Sequence, residues 1–347
     1  MASKKQVKVG NILLGGGAPV AVQSMLNTPA GDAKACVAQA KALEAAGCEI
    51  IRTTVPDMAA VKTVAALKEA VAVPIVADIH FDYRMALEAA EAGADKIRLN
   101  PGNIGADDRV KAVAEKCRQK NIPIRIGVNS GSVEKEILAK YGAPTAEALV
   151  ESALYHVSLL QKHDFDDIVI SLKSSSVKTA VEAYRLMARR ADYPLHIGIT
   201  EAGTERMGML KSAAGIGSLL LDGIGDTVRV SLTADPVKEV YAAYDSLKAV
   251  GVRQKGVNLV SCPTCGRTRI DLIGLASRVE EALRGCDKNI TVAVMGCAVN
   301  GPGEASNADI GIAGGNGYGL LFAKGQILRK VPESELFGAL LEEIEKL

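Results

Sequence analysis

"EIIRTTVPDMAAVKTVAALKEAVAVPIVADIH", residues 49–80, contains the unit from which the fold is built. A β-branched run, EIIRTTV (49–55), leads through the Ala-rich amphipathic stretch VKTVAALKEAV (61–71) into a second run, PIVADIH (74–80). Strands this apolar, alternating with helices, belong to a parallel sheet covered on both faces. Upstream, the pattern continues as APVAVQSM (18–25) and AKACVAQAKALEAAG (33–47). Downstream come DKIRLN (95–100), PIRIGVN (123–129), DIVISLK (167–173), PLHIGIT (194–200) and DTVRVSL (226–232). Eight such strands in roughly 250 residues predict a (β/α)8 TIM barrel. An open doubly wound sheet is the competing reading, but no strand here opens into a GxGxxG turn and helix.

VKVGNILLGGGAP predicts a hairpin ahead of the first barrel strand, and the connection 130–165 is long enough to carry its own helix, SVEKEILAKYG. AVGVRQKGVN marks a boundary, so the expected organisation is a substrate-binding barrel over 1–250 and a small α/β domain over 251–347. With 48% hydrophobic and 23% charged residues in 347, the chain is ordinary for a globular protein with a large core. A net charge of +1 and an aromatic content of 3% without Trp give no field and no stacking platform for nucleic acid. No apolar run is long enough to span a membrane, and MASKKQVKVGN lacks the apolar core of a signal peptide, so a cytoplasmic protein is expected. Seven cysteines, an odd number, do not form a disulfide framework there.

Barrel enzymes work at the carboxyl ends of their strands, and five cations fall there: Arg52, Arg98, Arg125, Lys173 and Arg229. In PIRIGVN the isoleucines flanking Arg125 face the helices, which turns Arg125 into the lumen; Arg98 and Arg229 have the same parity. Each could pair with a strand-end carboxylate such as Asp78, Asp95 or Asp226, but these are too few for five cations. An anionic, phosphorylated substrate accounts for the whole set better. Asp78, His80, Asn100, Asn103, Asn129, Ser132, Ser171 and Ser231 share that rim. Glu201, in GITEAGT after the seventh strand, is read either as a solvated loop residue or as an acid/base group beside the anion. His196 is open between core and ligand, while His156 and His163, on a predicted helix, read as structural. GIGSLLLDGIGD (215–226) resembles a phosphate loop, though its glycines also suit close helix packing.

The tail contains SCPTCGRTRID (261–271) and VMGCAVNGPGEA, which place Cys262, Cys265 and Cys297 in two motifs, with Cys286 between them. It has no His, and the cysteine spacing is not that of a zinc ribbon. An iron–sulfur cluster needs three thiolates and tolerates an unusual fourth ligand. Glu304, on the turn made by Gly301, Pro302 and Gly303, is one candidate for that fourth position, and water is the other.

These motifs carry a resemblance. SCPTCGRTRIDL with VAVMGCAVNGPGEASNADIGIAGG is similar to the cluster domain of the bacterial 4-hydroxy-3-methylbut-2-en-1-yl diphosphate synthases. VQSMLNT, IRTTVPD, ADIHFDYRMALEA, KIRLNPGN, IRIGVNSGS and GDTVRVSL extend the likeness over essentially the whole chain. The resemblance implies a barrel followed by a domain like part of sulfite and nitrite reductases, with a [4Fe–4S] cluster on Cys262, Cys265, Cys297 and Glu304. It implies reductive ring opening of 2-C-methyl-D-erythritol 2,4-cyclodiphosphate, with reduced flavodoxin or ferredoxin as donor. It also implies a head-to-tail homodimer in which one chain's cluster domain caps the other's barrel. Under this reading the five cations, with Asn129 and Ser231, clamp the diphosphate, Asp78, His80 and Asn103 also bind substrate, and Glu201 delivers a proton. Competing readings are a non-redox dehydratase with the same ligands and an iron–sulfur sensor, which has no use for a cationic lumen. A radical S-adenosylmethionine enzyme lacks its CxxxCxxC motif here.

Overall fold

Repeated strand and helix patterns close into a barrel in the computed structural model, which describes residues 3–347. Strands β1 (Gln6–Val9) and β2 (Ile12–Gly15) form an antiparallel hairpin. The barrel strands are β3 (Ala21–Met25), β4 (Ile50–Thr54), β5 (Ile75–Asp78), β6 (Lys96–Arg98), β7 (Ile124–Asn129), β8 (Ile168–Lys173), β9 (His196–Ile197) and β10 (Thr227–Val228). Helices α1 (Ala33–Ala45), α2 (Met58–Ala70), α3 (Tyr83–Glu91) and α4 (Asp107–Lys120) link the first five. The long fifth connection carries both α5 (Lys135–Tyr141) and α6 (Ala146–Gln161). α7 (Val177–Arg190), α8 (Glu205–Leu221) and α9 (Pro236–Ala249) complete the ring. Asp32, Asp57, Thr145, Ser176 and Asp235 each cap a helix by accepting a first-turn N–H, so the sequence punctuates its own helices.

The strands pair in parallel in the order β8-β7-β6-β5-β4-β3-β10-β9. A bridge between Ile170 and Leu195 closes the circle, and Ile170 N–H donates to Pro194 O at 3.0 Å. Tyr184 reinforces this thin seam: its hydroxyl donates to His196 O at 2.7 Å and accepts from Leu172 N–H at 3.1 Å. Outward residues such as Ile97, Ile124 and Ile126 are fully buried against the helices. Inside, the hairpin's Val7, Val9 and Leu14 pack on Ala21, Ile50, Val76 and Val169 and plug the amino end of the lumen. The carboxyl half of the lumen is left to polar side chains.

The first unit ends at Arg253, whose guanidinium donates to both carboxylate oxygens of Glu49 at 2.7 Å. The second unit, Gln254–Leu347, is a sheet with helices. It comprises β11 (Asn258–Ser261), α10 (Leu272–Ala282), β12 (Thr291–Met295), α11 (Gly301–Glu304), β13 (Ile310–Gly314), β14 (Tyr318–Ala323), β15 (Gln326–Pro332) and α12 (Leu336–Lys346). Its strands lie in chain order, β11 to β13 parallel and the last two pairings antiparallel. Leu272, Val279, Val292, Val294, Ile310, Ile312 and Leu336 form its core. No helix among the described residues is long and apolar enough to cross a membrane.

Candidate active site

All five sequence-predicted cations, Arg52, Arg98, Arg125, Lys173 and Arg229, reach one cavity of about 170 Å³ at the carboxyl ends of the barrel strands. Asp78, His80 and Asn129 line it as well, joined by Ser171 and Thr200. Five predicted rim residues do not line it, among them Asn100 and Ser132, whose side chains bond to the backbone of β7. Asn103 is exposed on the turn after β6, Ser231 is half-buried past β10, and Glu201 is exposed in the loop after β9. Glu201 has a φ of 51°, the left-handed region that a side chain with a Cβ rarely enters.

Three of the cations have carboxylate partners. Arg98 Nη1 donates to Asp78 Oδ1 at 3.0 Å, and Arg52 Nε stands 3.5 Å from Asp78 Oδ2. Burial works against the Asp78 charge, but Arg52, Arg98 and Arg125 outweigh it and hold the carboxyl below its ordinary range. Burial brings the Arg52 guanidinium down to about 10 even beside Asp78. Arg229 Nη2 donates to Glu239 Oε1 at 3.2 Å. Glu239, on α9, also accepts from Ser24 Oγ and from Leu232 N–H, both at 3.0 Å.

The other two cations have no such partner. Arg125 is 1% exposed; its Nη1 donates to Ser171 Oγ at 3.2 Å, while Nε and Nη2 are buried without a hydrogen bond. Lys173 has no carboxylate within ion-pair distance among the described residues. Burial, then Arg229 and Arg125, push its ammonium well below lysine's usual value. Five cations thus face two carboxylates, and an anion entering the cavity meets uncompensated positive charge in a low-dielectric pocket. Asp95 and Asp226, the other candidate counter-ions, are engaged elsewhere. Asp95 Oδ2 takes Lys68 at 2.6 Å and Asp226 Oδ2 accepts from Leu195 N–H at 2.7 Å. His196 is fully buried, with Nδ1 3.0 Å from Thr227 Oγ1, which assigns it to the core.

Sequence reasoning missed Glu239 and Lys96. Glu239 lies on the apolar stripe of α9 with Val240, Ala243 and Leu247, and a lone acid on a buried stripe is the available signal. Lys96 shares the inward parity of Arg98 but sits one residue pair deeper, fully buried, with no partner for Nζ. Burial, with Arg125 and Arg52 adding to it, lowers its pKa well below the usual value. Lys96→Met is therefore expected to stabilise the protein by about 1–3 kcal/mol, the cost of an unpaired buried polar group. Because the folded pKa is depressed, the unfolded chain binds more protons up to about pH 10.4, so wild-type stability rises with pH across that window. The gain from the substitution should be largest at its acidic side and fade towards pH 10. Urea melts at stepped pH test this, and a gain that ignores pH counts against it.

In the second unit, topology gathers the cysteine motifs. Cys262 follows β11 and Cys297 lies just past β12, and these are neighbouring parallel strands with Ser261 paired to Val294. Gly296 N–H donates to Cys262 Sγ at 3.2 Å, and Arg269 N–H donates to Gly296 O at 3.0 Å, so one side-chain and one backbone hydrogen bond join the two motifs. The Arg267 N–H and then its guanidinium hold the Cys265 thiol below its usual range, and the same guanidinium feels Cys297 and Glu304. Glu304 ends α11, its Oε1 accepting from Asn300 Nδ2 at 3.3 Å. Gly301 is required where it stands, because a Cβ there would lie 2.8 Å from Met295 Cβ and 2.9 Å from Ala313 Cβ. All seven cysteines are free. Among the described residues no three His, Cys, Asp or Glu side chains converge on a point where one metal ion would sit.

Comparison with known proteins places both units. The GcpE TIM-barrel domain matches residues 4–244, and the GcpE protein C-terminal domain matches 258–346. A protein of Geobacter sulfurreducens named 4-hydroxy-3-methylbut-2-en-1-yl diphosphate synthase (flavodoxin) is 60% identical over 100% of this chain and 98% of its own length. A protein of the same name from Clostridium perfringens is 57% identical, over 99% and 98%. Among solved structures, a truncated 3-deoxy-D-arabino-heptulosonate 7-phosphate synthase from Thermotoga maritima superposes with a TM-score of 0.53 at 13% identity, covering 73% of this chain and 97% of that one. 3-Dehydroquinate dehydratase from Geobacillus kaustophilus gives 0.51 at 14%, covering 72% and 99%. At such identities the likeness shows the barrel fold alone.

Proposed function

This chain belongs to the GcpE family, and from that premise we propose how its residues carry out the family's reaction. It is a 4-hydroxy-3-methylbut-2-en-1-yl diphosphate synthase, opening 2-C-methyl-D-erythritol 2,4-cyclodiphosphate reductively with loss of one oxygen as water. The observation that carries the substrate assignment is a cavity lined by five cations whose carboxylate partners are two, Asp78 in its wall and Glu239 outside it. Arg125 and Lys173, lacking carboxylate partners, take the diphosphate first. Arg52, Arg98 and Arg229, oriented by Asp78 and Glu239, complete the clamp, with His80 and Asn129 at the rim. Asn103 and Ser231, outside the cavity wall, contact substrate from the loops.

The ring opens when a carbon–oxygen bond to the phosphate breaks, and the departing phosphate oxygen takes up negative charge. Fixed guanidinium and ammonium donors at that oxygen stabilise the change without having to reorganise. Glu201, in the loop after β9, delivers the proton with which the second oxygen leaves as water.

Cys262, Cys265, Cys297 and Glu304 fit a [4Fe–4S] cluster. Three thiolates and one carboxylate, on motifs joined by the Gly296–Cys262 and Arg269–Gly296 hydrogen bonds, are the donor types that would hold it. The chemistry it supplies when bound is one-electron transfer, fed by reduced flavodoxin, with ferredoxin as an alternative donor. Seven free thiols suit the reducing cytoplasm in which this reading places the protein.

Calorimetric titration with the cyclodiphosphate tests the clamp. Arg125→Ala is expected to raise Kd by ~10–100-fold, the equivalent of a lost charge-assisted bond of about 1.5–3 kcal/mol. Arg229→Ala should lose less, since part of its charge is already met by Glu239. Unchanged affinity in both moves the anion site elsewhere. The proposed head-to-tail homodimer, one chain's cluster unit acting on its partner's barrel, predicts that Arg125→Ala chains, assayed at substrate too dilute to fill their weakened site, and inactive Cys262→Ala chains regain turnover when mixed. Absence of recovery in verified mixed dimers refutes that arrangement.

A further inference from the structure

We infer that His156 is a positioning residue for substrate binding, one imidazole holding two separate loops of the barrel mouth. It is fully buried on α6, away from the cavity wall. Gly102 N–H donates to its Nδ1 at 3.1 Å. An accepting Nδ1 must carry a bare lone pair, which puts the ring proton on Nε2. That nitrogen stands 2.7 Å from Glu134 Oε1, a close polar contact of the neutral ring whose angle lies outside that of a ring N–H hydrogen bond. Burial works to raise the Glu134 pKa, but His156, Ser152 and the residue's own backbone N–H together outweigh it and bring the carboxyl to about 2.

Each contact ends on a segment that carries site residues. Gly102 lies in the turn Pro101–Asn103 after β6. Asn100, which opens that turn, accepts from Gly127 N–H through Oδ1 at 2.9 Å, and Gly127 O accepts from Arg98 Nη2 at 2.7 Å. On the other side, Glu134 follows Ser132, whose Oγ accepts from Asn129 N–H at 3.0 Å and donates to Asn129 O at 3.1 Å. The imidazole therefore ties the turn next to Arg98 to the turn next to Asn129, both of which line the cavity. The fit is tight: a Cβ on Gly102 would lie 2.8 Å from His156 Cε1. A misplaced rim loop weakens binding without removing any group that touches substrate.

This inference rests on the anion-binding reading of the mouth. Its test measures Kd for the cyclodiphosphate by calorimetry, KM and kcat with a chemical reductant, and the thermal midpoint, all on the full-length enzyme. His156→Asn keeps an acceptor near Gly102 and loses Glu134, while His156→Gln does the reverse. Each should raise Kd and KM together by ~3–10-fold, about one neutral hydrogen bond, with kcat little changed. Gly102→Ala should also weaken binding, and adding His156→Ala, which clears space for the new methyl, should make the double variant bind better than the product of the two single effects. Variants that melt earlier but bind as wild type overturn the inference, as do strictly multiplicative effects. Failure of the wild-type enzyme to bind the diphosphate removes the anion reading and this one with it.

Discussion

Replacing Cys262, Cys265 or Cys297 by alanine is expected to abolish the broad visible absorbance of the anaerobically purified protein, while Cys286→Ala leaves it intact. The contrast follows from position. Cys262 and Cys297 stand at the carboxyl ends of adjacent parallel strands, and Gly296 N–H joins the two motifs through Cys262 Sγ. Arg267 brings Cys265, Cys297 and Glu304 under one positive charge. Cys286 instead ends the turn after α10, with its N–H donating to Leu283 O at 3.1 Å, and takes part in none of those contacts. A thiolate ligand removed from a four-iron cluster leaves an iron open to solvent and oxidation. Glu304→Ala should have the milder effect of an altered EPR signal and poorer cluster retention, because a carboxylate is the harder, weaker ligand for iron. Stoichiometric zinc without iron or sulfide would sink the assignment.

The barrel and its cations were legible because both follow from short-range periodicity. Alternation of two fixes which way Arg98 and Arg125 point, and the carboxyl end of a barrel strand is where such side chains meet. Their counter-charges were not legible in the same way. Asp78 is in the right strand, but that one carboxylate serves both Arg52 and Arg98 becomes clear only once β4, β5 and β6 lie side by side. Glu239 reaches Arg229 from a helix, and no period in the sequence links the two. Depth was also hidden. Arg125 and Lys96 have the parity of rim residues yet sit well inside, because the hairpin plug sets where the apolar layer ends. His156 reads as a core residue of an amphipathic helix, and it is one; that its two nitrogens face two different loops depends on where α6 crosses behind them. In the second unit the motifs were plain in the sequence, but their adjacency comes from the parallel pairing of β11 with β12.

Glu201→Gln is expected to cut turnover by ~10²–10⁴-fold, the usual contribution of a positioned acid, while leaving the visible spectrum and the Kd for the cyclodiphosphate nearly unchanged. One observation favours Glu201 over the other acids near the mouth. Asp78 is held ionised by three guanidiniums and Glu239 is buried against Arg229, so neither is free to give up a proton. Glu201 is exposed, and its backbone sits at a φ of 51°, where a residue with a Cβ costs about 1–2 kcal/mol and glycine almost nothing. Asp164 and Lys324, neither of which lines the cavity, adopt the same backbone region, so the φ marks a position where glycine costs less and does not by itself assign a role. Glu201→Gly separates backbone from side chain, since it should raise the thermal midpoint by relieving the backbone and still lose turnover as severely as the glutamine variant. Glutamine keeps the length and hydrogen bonding of the side chain and removes only the transferable proton, so its effect should fall on kcat rather than KM. If Glu201→Gln turns over at the wild-type rate with a chemical reductant, the proton comes from another group.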